Sequence, residues 1–301
     1  MIGRVITAAV GIPALALVVW LGDPVFSVVV AALAAVGAVE VCDLARNKGM
    51  TPSRVVAAVL SPALVLSHFG FSFLWSMPEY IPLLVLTAGI SVLALILTLS
   101  PIQKIQKLRN GNGEAPSPLM GEGWGEGENP GSTTIYAKAS NAGLTLAATL
   151  YPAVLLAHAP LLRGGEQGLE WIVLLLVVTF STDTGAFFVG KAIGKRPLAP
   201  TISPNKTWEG AIGGFAAAIL AAFIAAWALQ IDADLPLIAI LGALMGVVGQ
   251  VGDLFESKLK RLADVKESGR LLPGHGGVLD RLDSIVFNLA LVYYFVIGGV
   301  L

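Results

Sequence analysis

The stretch "LLPGHGGVLDRLDSIVFNLALVYYFVIGGVL", residues 271–301, places two aspartates, an arginine, a histidine and three glycines at the mouth of an apolar run. A helix needs roughly 20 mostly apolar residues to cross a bilayer, and the segment from about 282 to 301 supplies them. A carboxylate near hydrocarbon is costly unless it meets a cation, a donor or water. The stretch therefore predicts a membrane-spanning fold with a polar site at one boundary.

The rest of the chain agrees. Of its 301 residues, 55% are hydrophobic and 13% are charged, and the mean hydropathy is +0.79. That balance excludes a soluble domain of this length. Windows of about 20 residues predict an all-α polytopic membrane protein with nine spans, near 4–22, 25–44, 53–72, 80–100, 141–159, 171–190, 208–229, 236–256 and 282–301. The first is too long for a signal peptide, and no soluble segment follows it, so it is read as retained.

Basic residues accumulate on the cytoplasmic side of membrane helices. With nine spans and a cytoplasmic N-terminus, 18 of the 19 Lys and Arg fall inside, and only Arg163 falls outside. The C-terminus then lies on the opposite side. The net charge of −1 thus conceals a basic cytoplasmic face suited to anions. Cys42 is the sole cysteine, which excludes an intramolecular disulfide and a thiolate-rich metal site.

Three regions are expected. Residues 1–100 form a scaffold of about four helices with few polar side chains. Residues 101–139 form a cytoplasmic loop whose Gly-, Glu- and Pro-rich part, 110–134, is too poor in apolar groups to offset its ordering entropy and is expected to be disordered. Its GEGWGEG run lacks the strand, the helix and the lysine of a phosphate loop. Residues 140–301 form a catalytic membrane domain of about five helices. No fixed-period repeat supports an inverted-repeat transporter.

Chemistry concentrates in three clusters. In the first, Ser181–Gly210, Asp183 interrupts an apolar run, and Ser203, Asn205 and Lys206 offer a hydroxyl, an amide and an ammonium to an anionic oxygen. Thr207 suits an N-cap for the next helix. In the second, Gly249–Arg261, Asp253 and Glu256 share a helix face that Ser257, Lys260 and Arg261 continue. Gly246, Gly249 and Gly252 permit a close helix or a ligand there. In the third, Asp280 and Asp283 project from one helical turn beside Arg281, and His275, Gly276 and Gly277 form a turn able to turn N–H groups to a phosphate. The bland alternatives are a paired packing aspartate at 183, a solvated helix end at 253–261, and helix-dipole carboxylates at 280 and 283. The last is worth only about 0.3–1 kcal/mol per group, too little to offset carboxylates beside hydrocarbon. Oxygen donors without cysteine suit Mg²⁺ with substrate phosphates. Residues alone reach as far as metal-dependent phosphoryl or nucleotidyl transfer to a lipid.

Ser257, Lys260-Arg261, Lys266, Gly269, Pro273, His275-Gly276-Gly277 and Asp280-Arg281-x-Asp283 closely resemble the signature of the phosphatidate cytidylyltransferase family. Asp183-Thr184-Gly185 and Ser203-Pro204-x-Lys206-Thr207-Trp208 are similar too, so the resemblance covers roughly 140–301. Glu267 departs from it, standing where the family has Asp, and is left out of the site. The resemblance implies that CTP and phosphatidic acid yield CDP-diacylglycerol and pyrophosphate. It implies a binuclear centre of Mg²⁺ with a second Mg²⁺ or a monovalent ion, held by Asp253 and Asp280 with Asp283. It implies catalytic roles for Lys260, Arg261, Lys266, His275 and Arg281, and substrate contacts from Asp183, Ser203, Asn205, Lys206, Ser257, Gly276 and Gly277. Asp253 and Asp280 are expected to meet across the hairpin of the last two long helices. The setting expected is a bacterial cytoplasmic membrane with the site on its inner face. No nucleic-acid partner is expected, and a homodimer is compatible with the sequence. The rivals are a CTP-dependent lipid or polyprenol kinase and, from another class, an ion or solute transporter.

Overall fold

A computed structural model describes residues 2–67, 130–269, 271 and 276–298. The expected span 80–100, most of the 110–134 loop, and His275 lie outside the described residues. The described chain folds as α1 (Ile2–Leu21), α2 (Val25–Arg46), α3 (Arg54–Leu66), α4 (Pro130–Arg163), α5 (Gly168–Ile193), β1 (Pro197–Ala199), β2 (Ser203–Thr207), α6 (Trp208–Ala228), α7 (Leu235–Leu262), α8 (Leu279–Leu282) and α9 (Ile285–Ile297).

Among the described residues, five segments are long and apolar enough to cross a membrane: Val25–Arg46, Asn141–Arg163, Gly168–Ile193, Trp208–Ala228 and Leu235–Leu262. Their outer faces carry exposed Phe187, Phe188, Ile212, Leu220 and Trp227. That is the pattern of a surface solvated by lipid, where apolar exposure costs nothing.

The all-α expectation needs correction. Between α5 and α6 the chain forms an antiparallel hairpin, with Pro197 opposite Thr207 and Ala199 opposite Ser203. Its cause is local: Arg196, Ala199 and Ser203 each precede a proline, and a residue before proline is driven out of the helical region into extended geometry. Two further boundaries move. Helix α4 starts at Pro130, inside the segment expected to be disordered, and proline is preorganised for a first helical turn. The expected span 282–301 is a short helix of 13 residues, α9, preceded by the separate turn α8. At about 1.5 Å per residue it covers roughly 20 Å, less than a bilayer core.

Small residues set how the helices approach. Along α6, a Cβ at Gly214 would lie 2.8 Å from the Thr182 carbonyl and 3.0 Å from the Ala186 Cβ, and one at Gly210 would lie 2.8 Å from the Ala186 carbonyl. Helices α5 and α6 thus touch backbone to backbone. On α7, Gly242 and Gly246 face Ala218, Ala222 and Phe215 of α6, whereas Gly249 and Gly252 face Asn288 and Phe287 of α9. The glycine stripe before Asp253 therefore admits helices rather than a ligand.

The N-terminal helices join through polar ties as well as apolar ones. Thr51 N donates to Asn141 Oδ1 at 2.8 Å and Ser53 N to Thr145 Oγ1 at 2.9 Å, fixing the α2–α3 corner on α4. Buried Ser61 donates to the Thr149 carbonyl. Buried His158 of α4 meets Tyr294 of α9 at 3.1 Å, and Arg163 Nε donates to the Val19 carbonyl at the end of α1. Because the α5–α6 contact leaves no room for a side chain, Gly214→Val should destabilise the protein by about 1–3 kcal/mol. Thermal unfolding in detergent measures this, and an unchanged midpoint would show that the two helices can separate at no cost.

Candidate active site

The hairpin and the α6 N-terminus hold the first cluster. Thr207 caps α6 as expected, its hydroxyl accepting from Gly210 N at 3.1 Å. Because alternate strand residues project to opposite sides, the strand after Pro204 turns Lys206 toward α7, where its Nζ pairs with Asp253 Oδ2. Gln250, one turn earlier on α7, donates to the Ala211 carbonyl at 3.2 Å and locks α7 to α6. Arg261 Nε donates to the Ile202 carbonyl at 3.1 Å and fixes the hairpin's turn on the same helix.

A cavity of about 490 Å³ opens between α5, α6, α7 and the hairpin, within the size range of small-molecule sites. Asp183, Asn205, Lys206 and Asp253 supply its polar wall, and Phe187 and Leu198 an apolar one. Lys191 also lines it and sits 5.8 Å from the Phe187 ring centroid, so the cavity has a second ammonium that sequence reasoning did not single out. Ser203 lies at the start of β2, opposite Ala199. Ser257 Oγ donates to Asp253 Oδ1 at 3.3 Å.

The third cluster closes on α7 from the other side. Lys260 Nζ lies 2.5 Å from Asp280 Oδ1 and 3.3 Å from Glu256 Oε1. Asp280 Oδ2 accepts from Ser268 N at 2.9 Å, Ser268 Oγ at 3.0 Å and Gly277 N at 2.8 Å. Burial pushes the Asp280 carboxyl up, but the Lys260 ammonium and the Gly277 and Ser268 amides outweigh it and hold the group below the usual carboxylate range. Gly276 takes φ +81°, and a Cβ there would lie 2.6 Å from Asp280 Oδ2, so this turn requires glycine on both counts. The Gly277 N–H, expected to face a phosphate, is given to Asp280 in this structure.

Asp280 and Asp253 share no hydrogen-bond or ion-pair partner among the described residues. One is held by Lys260, Ser268 and Gly277, the other by Lys206 and Ser257. Asp183 and Asp283 both lie within electrostatic reach of Asp253. Asp283 Oδ1 also accepts from Ser284 N at 2.7 Å, and fully buried Glu256 lies beside it. Lys266 lines a second cavity of about 510 Å³ with Asn47, Glu267, Ser268 and Gly269. Arg281 lies on α8 with its side chain exposed.

Sequence reasoning missed Glu40. This α2 carboxylate is buried against the third cluster, accepting from Val278 N at 2.9 Å, Leu279 N at 2.8 Å and Ser268 Oγ at 2.8 Å. A glutamate inside an apolar helix was the available signal, one that marks a functional position by default.

As to metals, among the described residues no group of three or more His, Cys, Asp and Glu is gathered tightly enough to hold an ion by itself. The donors near Asp253 are carboxylate oxygens, a hydroxyl and an amide. That set fits a hard cation which binds through one or two carboxylates and completes its shell with water and substrate phosphate.

Lys260→Met would leave two buried carboxylates without their common ammonium, and should cost about 3–5 kcal/mol. Because folding lowers the pKa of Asp280, its contribution is complete above the ordinary value of about 3.9 and is lost as pH falls through the lower folded value. Removing Lys260 should therefore move acid unfolding to higher pH. Thermal midpoints recorded across the acid range test both effects, and superimposable curves for variant and wild type would refute the pair's role.

Comparison with known proteins adds the following. The sequence model described as the cytidylyltransferase family matches residues 2–297. A phosphatidate cytidylyltransferase of Bacillus subtilis (strain 168) is 49% identical over 133 residues, 43% of this chain and 48% of that protein. One of Brucella suis biovar 1 is 50% identical over 136 residues, 45% of this chain and 50% of that protein. One of Staphylococcus haemolyticus is 42% identical over 127 residues, 42% of this chain and 49% of that protein. The chain spans about half the length of the curated relatives it matches.

Proposed function

Since the chain belongs to the cytidylyltransferase family, we propose that it transfers CMP from CTP to phosphatidic acid, giving CDP-diacylglycerol and pyrophosphate for phospholipid biosynthesis. The observation that carries this reading is the cavity with Asp183 and Asp253 on one side, Lys206 and Lys191 on another, and Phe187 at an apolar flank. It offers cations to a lipid phosphate where the acyl chains can remain among exposed aromatic side chains, while carboxylates wait beside it.

The chemistry asks little of a base. The nucleophile is a phosphate-monoester oxygen, already ionised at neutral pH. It attacks the α-phosphorus of CTP, a new P–O bond forms, and the bond to the β-phosphate oxygen breaks as pyrophosphate leaves. The obstacle is the approach of two polyanions, so the site must supply charge and orientation. Lys206 and Asn205, with Lys191, hold the lipid phosphate at the cavity. Lys260, Arg261, Lys266, His275 and Arg281 neutralise the triphosphate and the departing pyrophosphate. Ser203 and Ser257 orient these groups, and Gly276 and Gly277 shape the turn they border. Mg²⁺, with a second Mg²⁺ or monovalent ion, would supply bridging charge for the triphosphate oxygens. Asp253 and Asp280, with Asp283, would hold it. In this reading the chain makes nine spans in a bacterial cytoplasmic membrane. The basic end of the bundle faces the cytoplasm, where CTP is found, and a homodimer would leave each site complete.

Purified protein in phosphatidate micelles with labelled CTP and Mg²⁺ tests the proposal. CDP-lipid with pyrophosphate supports it, labelled CDP indicates a kinase, and no turnover indicates a transporter or another role. Asp253→Asn and Asp280→Asn should each lower kcat by at least about 100-fold while the protein stays monodisperse. Near-normal turnover in either would remove that residue from the site.

A further inference from the structure

Glu40 stands apart from the clusters just described. It comes from α2, in the N-terminal part of the chain, yet among the described residues the hydrogen bonds its carboxylate accepts come from the segment leading into Asp280. Oε1 accepts from Val278 N at 2.9 Å, and Oε2 from Leu279 N at 2.8 Å and Ser268 Oγ at 2.8 Å. The two amides are those of the residue before α8 and of its first residue, so the carboxylate pins the start of that turn.

Ser268 makes the arrangement more than an anchor. Its hydroxyl oxygen lies 2.8 Å from Glu40 Oε2 and 3.0 Å from Asp280 Oδ2, but a hydroxyl has one proton. The two carboxylates therefore compete for a single donor, and the position of one sets what the other receives. The glycines agree with this geometry. A Cβ at Gly277 would lie 2.5 and 2.6 Å from the two Glu40 oxygens, and one at Gly269 would lie 2.5 Å from Oε1. Both glycines stand where they make room for the α2 carboxylate. Nearby, Lys48 pairs with Asp264, a second tie from the end of α2 to the segment after α7.

We infer that Glu40 is a positioning residue: through Ser268 and the Val278 and Leu279 amides it fixes Asp280 and the Gly276–Gly277 turn in the orientation the site requires. It touches no substrate. The N-terminal helices are then part of the active-site frame rather than a passive scaffold. The inference deepens the nucleotidyl-transfer reading and rests on it for the activity measured, but its structural half can be read without turnover.

The test uses the full chain in detergent with Glu40→Gln, Glu40→Asp, Gly269→Ala and the Glu40→Ala/Gly269→Ala pair. Glutamine keeps the shape but turns an NH₂ group toward an amide donor. It should lower kcat for CDP-lipid formation by about 10–100-fold, the range seen when a supporting partner of a site carboxylate is lost, with KM for phosphatidate unchanged. Aspartate keeps both oxygens and should recover part of that loss. Gly269→Ala should lower kcat in the native background and add nothing to Glu40→Ala, a coupling that independent sites do not show. Amide exchange at Val278 and Leu279 should accelerate in Glu40→Gln while α5 and α6 stay protected. Native kcat in Glu40→Gln, additive effects of the pair, or a uniform loss of protection through all helices would overturn the inference. Should the native chain form no CDP-lipid, the activity reading fails by itself, and exchange at Val278 and Leu279 alone decides the case of Glu40.

Discussion

A carboxylate removed from water needs a cation or hydrogen-bond donors, and at one end of this bundle at least five carboxylates find one or the other in close quarters. Asp253 takes Lys206, and Asp280 takes Lys260 with the Ser268 and Gly277 amides. Glu256 shares Lys260, Glu40 takes two amides and a hydroxyl, and Asp283 takes the Ser284 amide. The partners of Asp253, Asp280 and Glu40 reach across from other elements, whereas Glu256 meets Lys260 one turn along the same helix. The cost of stranding any one charge thus binds α2, the hairpin, α7 and α8 into a single arrangement.

Backbone proximity is what makes these pairings geometrically available. The glycines of α6 bring it against α5, and the stripe on α7 brings that helix first against α6 and then against α9. With helix axes that close, a lysine arm from β2 reaches α7, and one on α7 reaches α8. Larger residues at the same positions would lengthen every span a side chain must cross. The polar groups gather at one end of a bundle whose flanks are exposed aromatic and aliphatic side chains.

Much of this was legible in the residues. Asp183, Asp253, Asp280 and Asp283 stand out because each interrupts or borders an apolar run, and Lys206, Lys260 and Arg261 recur beside them. Thr207 could be assigned as a cap from its place before an apolar helix. The β-hairpin was missed because three strand residues between prolines carry no periodicity, although the pre-proline restraint was visible at Arg196, Ala199 and Ser203. Glu40 was missed because an isolated acid in an otherwise apolar helix says that a partner exists but not where. Its partners lie more than 220 positions along the chain.

The sequence by itself determined the long apolar helices, the gathering of acidic and basic residues at their ends, and the family. Those depend on hydropathy, on local spacing and on a contiguous signature. Only the tertiary structure decided which cation answers which carboxylate. It placed Asp280 with Lys260 and with Ser268, whose hydroxyl it shares with Glu40, placed Asp253 with Lys206, and gave the Gly277 amide to Asp280 rather than leaving it for a phosphate. The physical reason is range: hydropathy and helical spacing act over a few residues, while pairing of buried charges depends on which helix ends the close glycine contacts bring together.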